Sequence, residues 1–419
     1  MQLSRTTTRY RKSIPVAFIF LIYLTTEGMS YLSLILLEKK WNIRYDPNVA
    51  TLSEFQRTQL KKFVEAKRGE RVVQDPDLGW GISVAAANRA GMRDDREYER
   101  FAPPGILRLA AYGDSFTYGA DVALHETWGK QLAAIDSSFE VLNYGVGAYG
   151  LDQAYLRYLR VGTEYNPHIV LIGYMSENLA RNVNVFRPFY MSGYRNVIFT
   201  KPRFKMEEGK LVLLKNPVAT VEDHERLLQN DKEVLAKLGE NDYHYQNRHN
   251  EGAFDVFPTV RFAKVFWTGI KQRTGNPILK RNGMYNVESE AYEVTVGILD
   301  SFCRAVLENG ALPVIIVFPD IHDQRRTRKK QERRYAPLLE DLRGRQYYVI
   351  DAMDALEPYE SRYSIAELTR NFGHYSPLGN RIIAEYIYAR LSQWELTKVS
   401  AVGEAVEAFR RNLGLAFRQ

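Results

Sequence analysis

The chain has 419 residues, of which 45% are hydrophobic and 26% charged, the composition of a globular protein with an ample core. Its formal charge of +7 is unevenly placed: the first twelve residues carry +4, residues 325–334 carry +6, and the remainder is slightly acidic. That distribution, with no recognition motif, argues against nucleic-acid binding. The single cysteine, Cys303, excludes an intrachain disulfide and a cysteine-rich metal site.

Arg5, Arg9, Arg11 and Lys12 precede an apolar run from Ile14 to Leu37, which is long enough to cross a bilayer as a helix. No acidic residue occurs among the first twelve. The positive-inside rule therefore places residues 1–13 in the cytoplasm and the bulk of the chain on the far side, periplasmic or extracellular. No small-x-small cleavage pattern follows the run, which favours a single-pass anchor over a removed signal peptide. Glu27, in the middle of the run, is costly if charged and is expected to be protonated or paired with another membrane helix. Residues 38–70 are charged and helix-prone and read as a stalk. Residues 71–104, rich in Asp, Gly, Asn, Arg and Pro, read as an extended lead-in.

From residue 105 to 395 the pattern alternates. Strands are expected at 106–112, 139–145, 168–174, 312–318 and 346–351, and helices at 127–136, 151–162, 289–309, 332–343 and 377–393. The predicted fold class is α/β, a doubly wound, parallel five-stranded sheet with helices on both faces. The alternation stops between 179 and 286, a stretch rich in aromatics such as Phe189, Tyr190, Tyr243, Phe254, Phe266 and Trp267. It reads as a helical subdomain or a lid beside the site. Residues 396–419 read as a helical tail. The basic run 325–334 reads as a solvated face, or as a patch for anionic head groups or an acidic polymer.

Two segments carry chemistry. Gly113-Asp114-Ser115-Phe116-Thr117-Tyr118-Gly119 follows the first core strand, so Ser115 sits on a tight turn at the strand's carboxyl end, where open α/β sheets bind ligands. A hydroxyl there is a nucleophile if a base reaches it, and otherwise a helix cap. Far downstream, His374 lies in the loop that opens the last core helix, and a doubly wound fold can bring the two together.

With these segments the chain resembles the SGNH (GDSL-type) hydrolase family, of the membrane-anchored bacterial type. Gly113-Asp114-Ser115 resembles that family's first block, Val141 to Gly150 its second, Ile169 to Asn178 its third, and His374 to Asn380 its last. Asn88 to Arg93 resembles a segment often seen ahead of the first block. The resemblance implies an acyl-serine mechanism with Ser115 as nucleophile and His374 as base. The oxyanion donors it implies are the backbone N–H of Ser115, the backbone N–H at Ala148 and the side chain of Asn178.

The chain departs from the family at three places. Ala148 stands where a glycine is usual, Glu177-Asn178 where Asn-Asp is usual, and Asn371 where an aspartate usually orients the histidine. Asn371 can hold the His374 imidazole but not balance its charge, so the alternatives are a Ser–His dyad, another carboxylate such as Glu177 recruited to the histidine, or a slow enzyme. A carboxylate cannot donate to an oxyanion, so Glu177 is excluded from that role unless protonated. Asp114, Gly145, Glu177, Asp320 and His322 are expected to line the site. The seven histidines show no metal-binding spacing, and no cofactor is expected. The expected function is an ester hydrolase acting on a small molecule or glycan. An O-acyltransferase modifying a cell-envelope or secreted polysaccharide, and a catalytically weak binding module, are the alternatives. Protein partners and oligomeric state are not legible.

Overall fold

A computed structural model describes residues 4–41, 43–45, 47, 51–66, 74–82, 84–191, 197–249, 252–274 and 276–412. Five parallel strands form the central sheet: β1 (Leu107–Tyr112), β2 (Phe139–Asn143), β3 (Ile169–Met175), β4 (Leu312–Phe318) and β5 (Tyr348–Asp351). Their order is β2-β1-β3-β4-β5, a doubly wound arrangement whose direction of winding reverses beside β1. The first four strands are buried along their whole length, because helices cover both faces.

One face carries Tyr112, Ile172, Tyr174 and Val317 under helices α5 (Leu151–Val161), α7 (Glu290–Glu308) and α8 (Ala336–Gly344). The other carries Leu109, Leu171, Val314 and Ile316 under α4 (Trp128–Ile135), α9 (Pro377–Gln393) and the tail helix α10 (Val399–Asn412). The two sets alternate along each strand, as the period of two requires. Cys303 is buried in the first face.

The N-terminal helix α1 (Ser4–Trp41) includes one span, Val16–Lys40, long and apolar enough to cross a membrane. The segment expected to be a stalk is instead packed into the molecule. Helix α2 (Glu54–Glu65) is capped by Ser53, which accepts from the Gln56 N–H. It buries Leu60 and Phe63 with Trp80, Phe186, Phe189 and Phe199 in a third apolar cluster. Arg57 fastens it to the Leu228 carbonyl and to Asp231. The apolar i, i+3 spacing of Leu60 and Phe63 is an ordinary core pattern, and the charges between them hid it.

Residues 179–286 are a subdomain rather than a bare loop. They hold an antiparallel hairpin, Arg203–Glu207 with Lys210–Leu214, several short helices, and α6 (Pro258–Thr274). The basic run 325–334 is partly consumed by internal pairing, while Arg325, Lys329 and Lys330 are exposed. Arg333 holds Asp351, Asp354 and Glu357, Arg334 holds Asp320 and Asp323, and Arg328 donates to the carbonyls of Glu360 and Tyr363.

Candidate active site

Strand β1 ends in a turn that the sequence leaves little room to vary. A Cβ on Gly113 would meet the Thr117 hydroxyl at 2.1 Å and the Gly173 carbonyl at 2.7 Å. Asp114 caps the single-turn helix α3 (Ser115–Tyr118), accepting from the Phe116 N–H at 2.9 Å. Ser115 is therefore the first helical residue, and its own N–H has no intrahelical acceptor. Arg93, from the lead-in, donates to the carbonyls of Tyr118, Gly119 and Val122, which pins the loop that follows.

His374 arrives from the other end of the chain. It follows a 3-10 turn, Asn371–Gly373, and precedes α9, whose N-cap Ser376 accepts from the Gly379 N–H. The Arg370 N–H donates to the His374 carbonyl at 2.6 Å. His374 Nε2 lies 2.9 Å from Ser115 Oγ, and Nδ1 lies 2.7 Å from Asp121 Oδ2. A carboxylate can only accept, so Nδ1 carries the proton and Nε2 is free to accept from the serine. The edge of the Phe116 ring rests on the imidazole, centroids 5.3 Å apart.

Asn371 is not the orienting residue. Its side chain is exposed, and it serves His374 only through its backbone carbonyl, which accepts the His374 N–H at 3.2 Å. The carboxylate on Nδ1 is that of Asp121, six residues past Ser115. The Asp121 φ of 65° is left-handed, a conformation that aspartate tolerates better than most residues. The signal was an acidic residue straight after Gly119-Ala120, in the loop bearing the nucleophile rather than the loop bearing the base.

The loop after β2 is fixed by its carbonyls. The Trp80 indole donates to the Gly147 carbonyl at 3.0 Å, and Arg187 donates to the Ala148 carbonyl at 2.6 Å. With their carbonyls held in this way, Gly147 and Ala148 line the cleft beside Ser115. Ala148 has φ 65°, not the negative value its Cβ favours. Ala148→Gly is expected to stabilise the fold by about 1 kcal/mol, read by urea unfolding, without slowing any reaction at Ser115. Gly145 lies behind this loop, where a Cβ would meet the Tyr118 nitrogen at 2.4 Å.

Asn178 does not reach the cleft. It is fully buried behind Glu177, at the start of a short helix, Asn178–Arg181. Glu177 lines the cleft in its place, paired to Arg181 at 3.0 Å and near Arg187 at 4.0 Å. Burial alone pushes the Glu177 carboxyl up, but the Arg181 and Arg187 guanidiniums outweigh it and the net shift is downward. Glu177 is therefore an anion and offers the cleft no hydrogen-bond donor. Asp114 is buried beneath the nucleophile, and burial raises its carboxyl despite Arg181 at 3.2 Å.

The cleft around Ser115 has a volume of about 750 Å³. Phe55, Trp80, Ile82, Val146, Val197 and Phe199 give it an apolar wall, so α2 forms part of the site. Arg181, Asp320, His322 and Arg370 stand on the polar side. Asp320 caps the helix Ile321–Arg328 and pairs with Arg334, so it is held rather than free to act as a base. Among the described residues no group of three His, Cys, Asp or Glu side chains is placed to hold a metal ion.

No family model and no curated protein matches the chain. Solved structures of G-D-S-L lipolytic proteins are similar to it. One, from Desulfitobacterium hafniense DCB-2, is 13% identical over 68% of this chain and 99% of that one, with a TM-score of 0.35. A member of the same family from Veillonella parvula DSM 2008 is 9% identical over 68% and 98%, with a TM-score of 0.32. The acetyl xylan esterase AlAXEase is 11% identical over 67% and 98%, with a TM-score of 0.25. At scores this low the strand order, rather than the likeness, identifies the fold.

Proposed function

We propose that this chain is an SGNH-type serine hydrolase that cleaves ester bonds through an acyl-Ser115 intermediate. In this reading α1 holds it in a membrane, with the catalytic domain on the extracytoplasmic side. The observation that carries the chemistry is the relay Ser115–His374–Asp121, two hydrogen bonds of 2.9 and 2.7 Å in the correct sense. As Ser115 Oγ bonds to the ester carbonyl carbon, its proton passes to His374 Nε2 and the carbonyl π pair moves onto oxygen. The N–H groups of Ser115, Gly147 and Ala148 receive that charge, each donor worth about 3 kcal/mol to the transition state. Collapse expels the alcohol, which takes the proton from Nε2. Water then repeats the sequence on the acyl-serine and releases the acid. The apolar wall of the cleft suits the acyl chain, and Arg181 and Arg370 suit a polar or anionic alcohol portion.

Fluorophosphonate labelling of the detergent-solubilised full chain tests this reading. One adduct is expected, mapped to Ser115 and absent from Ser115→Ala. In His374→Ala the labelling rate should fall roughly 10³-fold or more, since the hydroxyl loses its base. A folded protein that takes no adduct would overturn the proposal.

A further inference from the structure

Glu27 sits midway along the apolar span of α1, where a carboxylate facing lipid is costly. The sequence suggested a partner on another membrane helix. The partner found is α6: Glu27 Oε2 accepts the Thr259 N–H at 3.0 Å, at that helix's first turn. Ser30 and Thr259 share a hydrogen bond of 3.2 Å, and the rings of Tyr23 and Phe257 meet edge to face at 6.4 Å. On α1 the covered positions are Glu27, Ser30, Ser33, Leu34, Ile35 and Leu37, all but Ile35 on one stripe at helical spacing. The opposite face, with Met29, Tyr31, Leu32 and Leu36, is 57–65% exposed.

Helix α6 and the turn before it, Ala253–Val256, also expose apolar side chains. Phe254 is 71%, Val256 66%, Phe266 63% and Trp267 68% exposed. Of their charged neighbours, Lys264 is half-buried and Arg261 is exposed but engaged by the turn. Lys264 pairs with the buried Asp255 at 2.5 Å, and Arg261 donates to the Asp255 carbonyl and covers the Tyr45 ring. Part of the turn's backbone is met internally, with Gly252 N–H on the Asp255 carboxylate at 2.9 Å, Asp255 N–H on the Gly252 carbonyl at 3.0 Å and Phe257 N–H on the Phe254 carbonyl at 3.0 Å. Such pairing lowers the cost of irregular backbone at membrane depth.

We propose that the turn Ala253–Val256 and helix α6 are seated in the membrane beside α1, where Phe254, Val256, Phe266 and Trp267 meet lipid. The inference rests on the reading of α1 as a membrane anchor. Given that reading, the Glu27–Thr259 hydrogen bond sets the depth: what is bonded to the middle of a spanning helix lies within the bilayer. The exposed side chains continue the bare apolar face of α1, and tryptophan is a residue favoured at the lipid–water boundary. The catalytic domain is thus held to the bilayer at two places rather than tethered at one.

The test uses the full chain in phosphatidylcholine–phosphatidylglycerol vesicles. Cys303 is replaced by serine, and single cysteines are introduced as Trp267→Cys, Phe254→Cys, Leu21→Cys and Glu225→Cys, each carrying an environment-sensitive fluorophore. Probes at 267 and 254 should be quenched at least about threefold more by lipids with acyl-chain nitroxides than by aqueous iodide, and the probe at 225 should show the reverse. Position 21 reports the anchor separately. If 21 is lipid-quenched while 267 and 254 are open to iodide, the anchor stands and the seating of α6 is overturned. If 21 is open to iodide, the anchor reading itself fails. Probes at 267 and 254 shielded from both quenchers would mean that protein covers α6, which also overturns the proposal.

Discussion

Asp121→Asn is expected to lower kcat/KM for an ester substrate by roughly 10²- to 10⁴-fold, while Asn371→Ala leaves it nearly unchanged. The cause is the tautomer. Asp121 accepts the Nδ1 proton of His374, and this leaves Nε2 as the acceptor for Ser115. An asparagine amide at that position can donate to Nδ1, which drives the proton to Nε2 and removes the base. The Asp121 side chain is 34% exposed, so water can partly replace it, and the loss should fall short of that in a fully buried relay. Steady-state hydrolysis of an activated ester by wild type and both variants decides the matter. A large loss in Asn371→Ala with little in Asp121→Asn would return the orienting role to Asn371.

Arg181→Met is expected to destabilise the fold by about 3 kcal/mol at neutral pH, because it removes a cation shared by the buried Asp114 and the half-buried Glu177. Arg181 bonds Asp114 at 3.2 Å and Glu177 at 3.0 Å, and its own side chain is only 11% exposed. The deficit should depend on pH with a definite sign. Asp114 already has a raised carboxyl in the fold, so its contribution is favourable in acid and is lost as pH rises through that raised value. Removing Arg181 raises it further. Glu177 has a lowered carboxyl, so its stabilisation is present above the unfolded value and lost as pH falls through the folded one. The part due to Arg181 is missing from the variant at every pH. Both effects make the difference between wild type and variant smaller in acid than at pH 8. Urea midpoints of the detergent-solubilised chain at several pH values measure it. A deficit independent of pH would mean that Arg181 contributes packing rather than charge.

The five core strands and the helices over them were legible because burial on two faces writes itself as continuous apolar runs with helical patterns between them. Ser115 and His374 were legible for a related reason: each lies in a short link whose neighbouring element the sequence marks, just past the end of β1 for one and two residues before the N-cap of α9 for the other. Asp121 was not, because a left-handed aspartate in a loop carries no periodicity and nothing in the sequence ties it to a histidine more than 250 residues away. Asn178 was misread for the opposite reason. A one-residue shift along Glu177-Asn178 exchanges the side chain facing the cleft for one facing the core, and only the two arginines on Glu177 settle which is which. The hairpin in the insertion and the inward face of α2 were lost among charges, since each needs its packing partner to be recognised.

The placement of α2 bears on how such a protein could be matured. Phe55 belongs to the wall of the cleft, and Leu60 and Phe63 belong to the apolar cluster under the insertion. Cleavage between α1 and α2 would leave the wall of the cleft whole. Removal of α2 along with α1 would open one side of the cavity and expose the underside of the apolar cluster above it. The position of a cut in the chain after Trp41, not merely its occurrence, would therefore determine whether the cleft keeps its apolar wall.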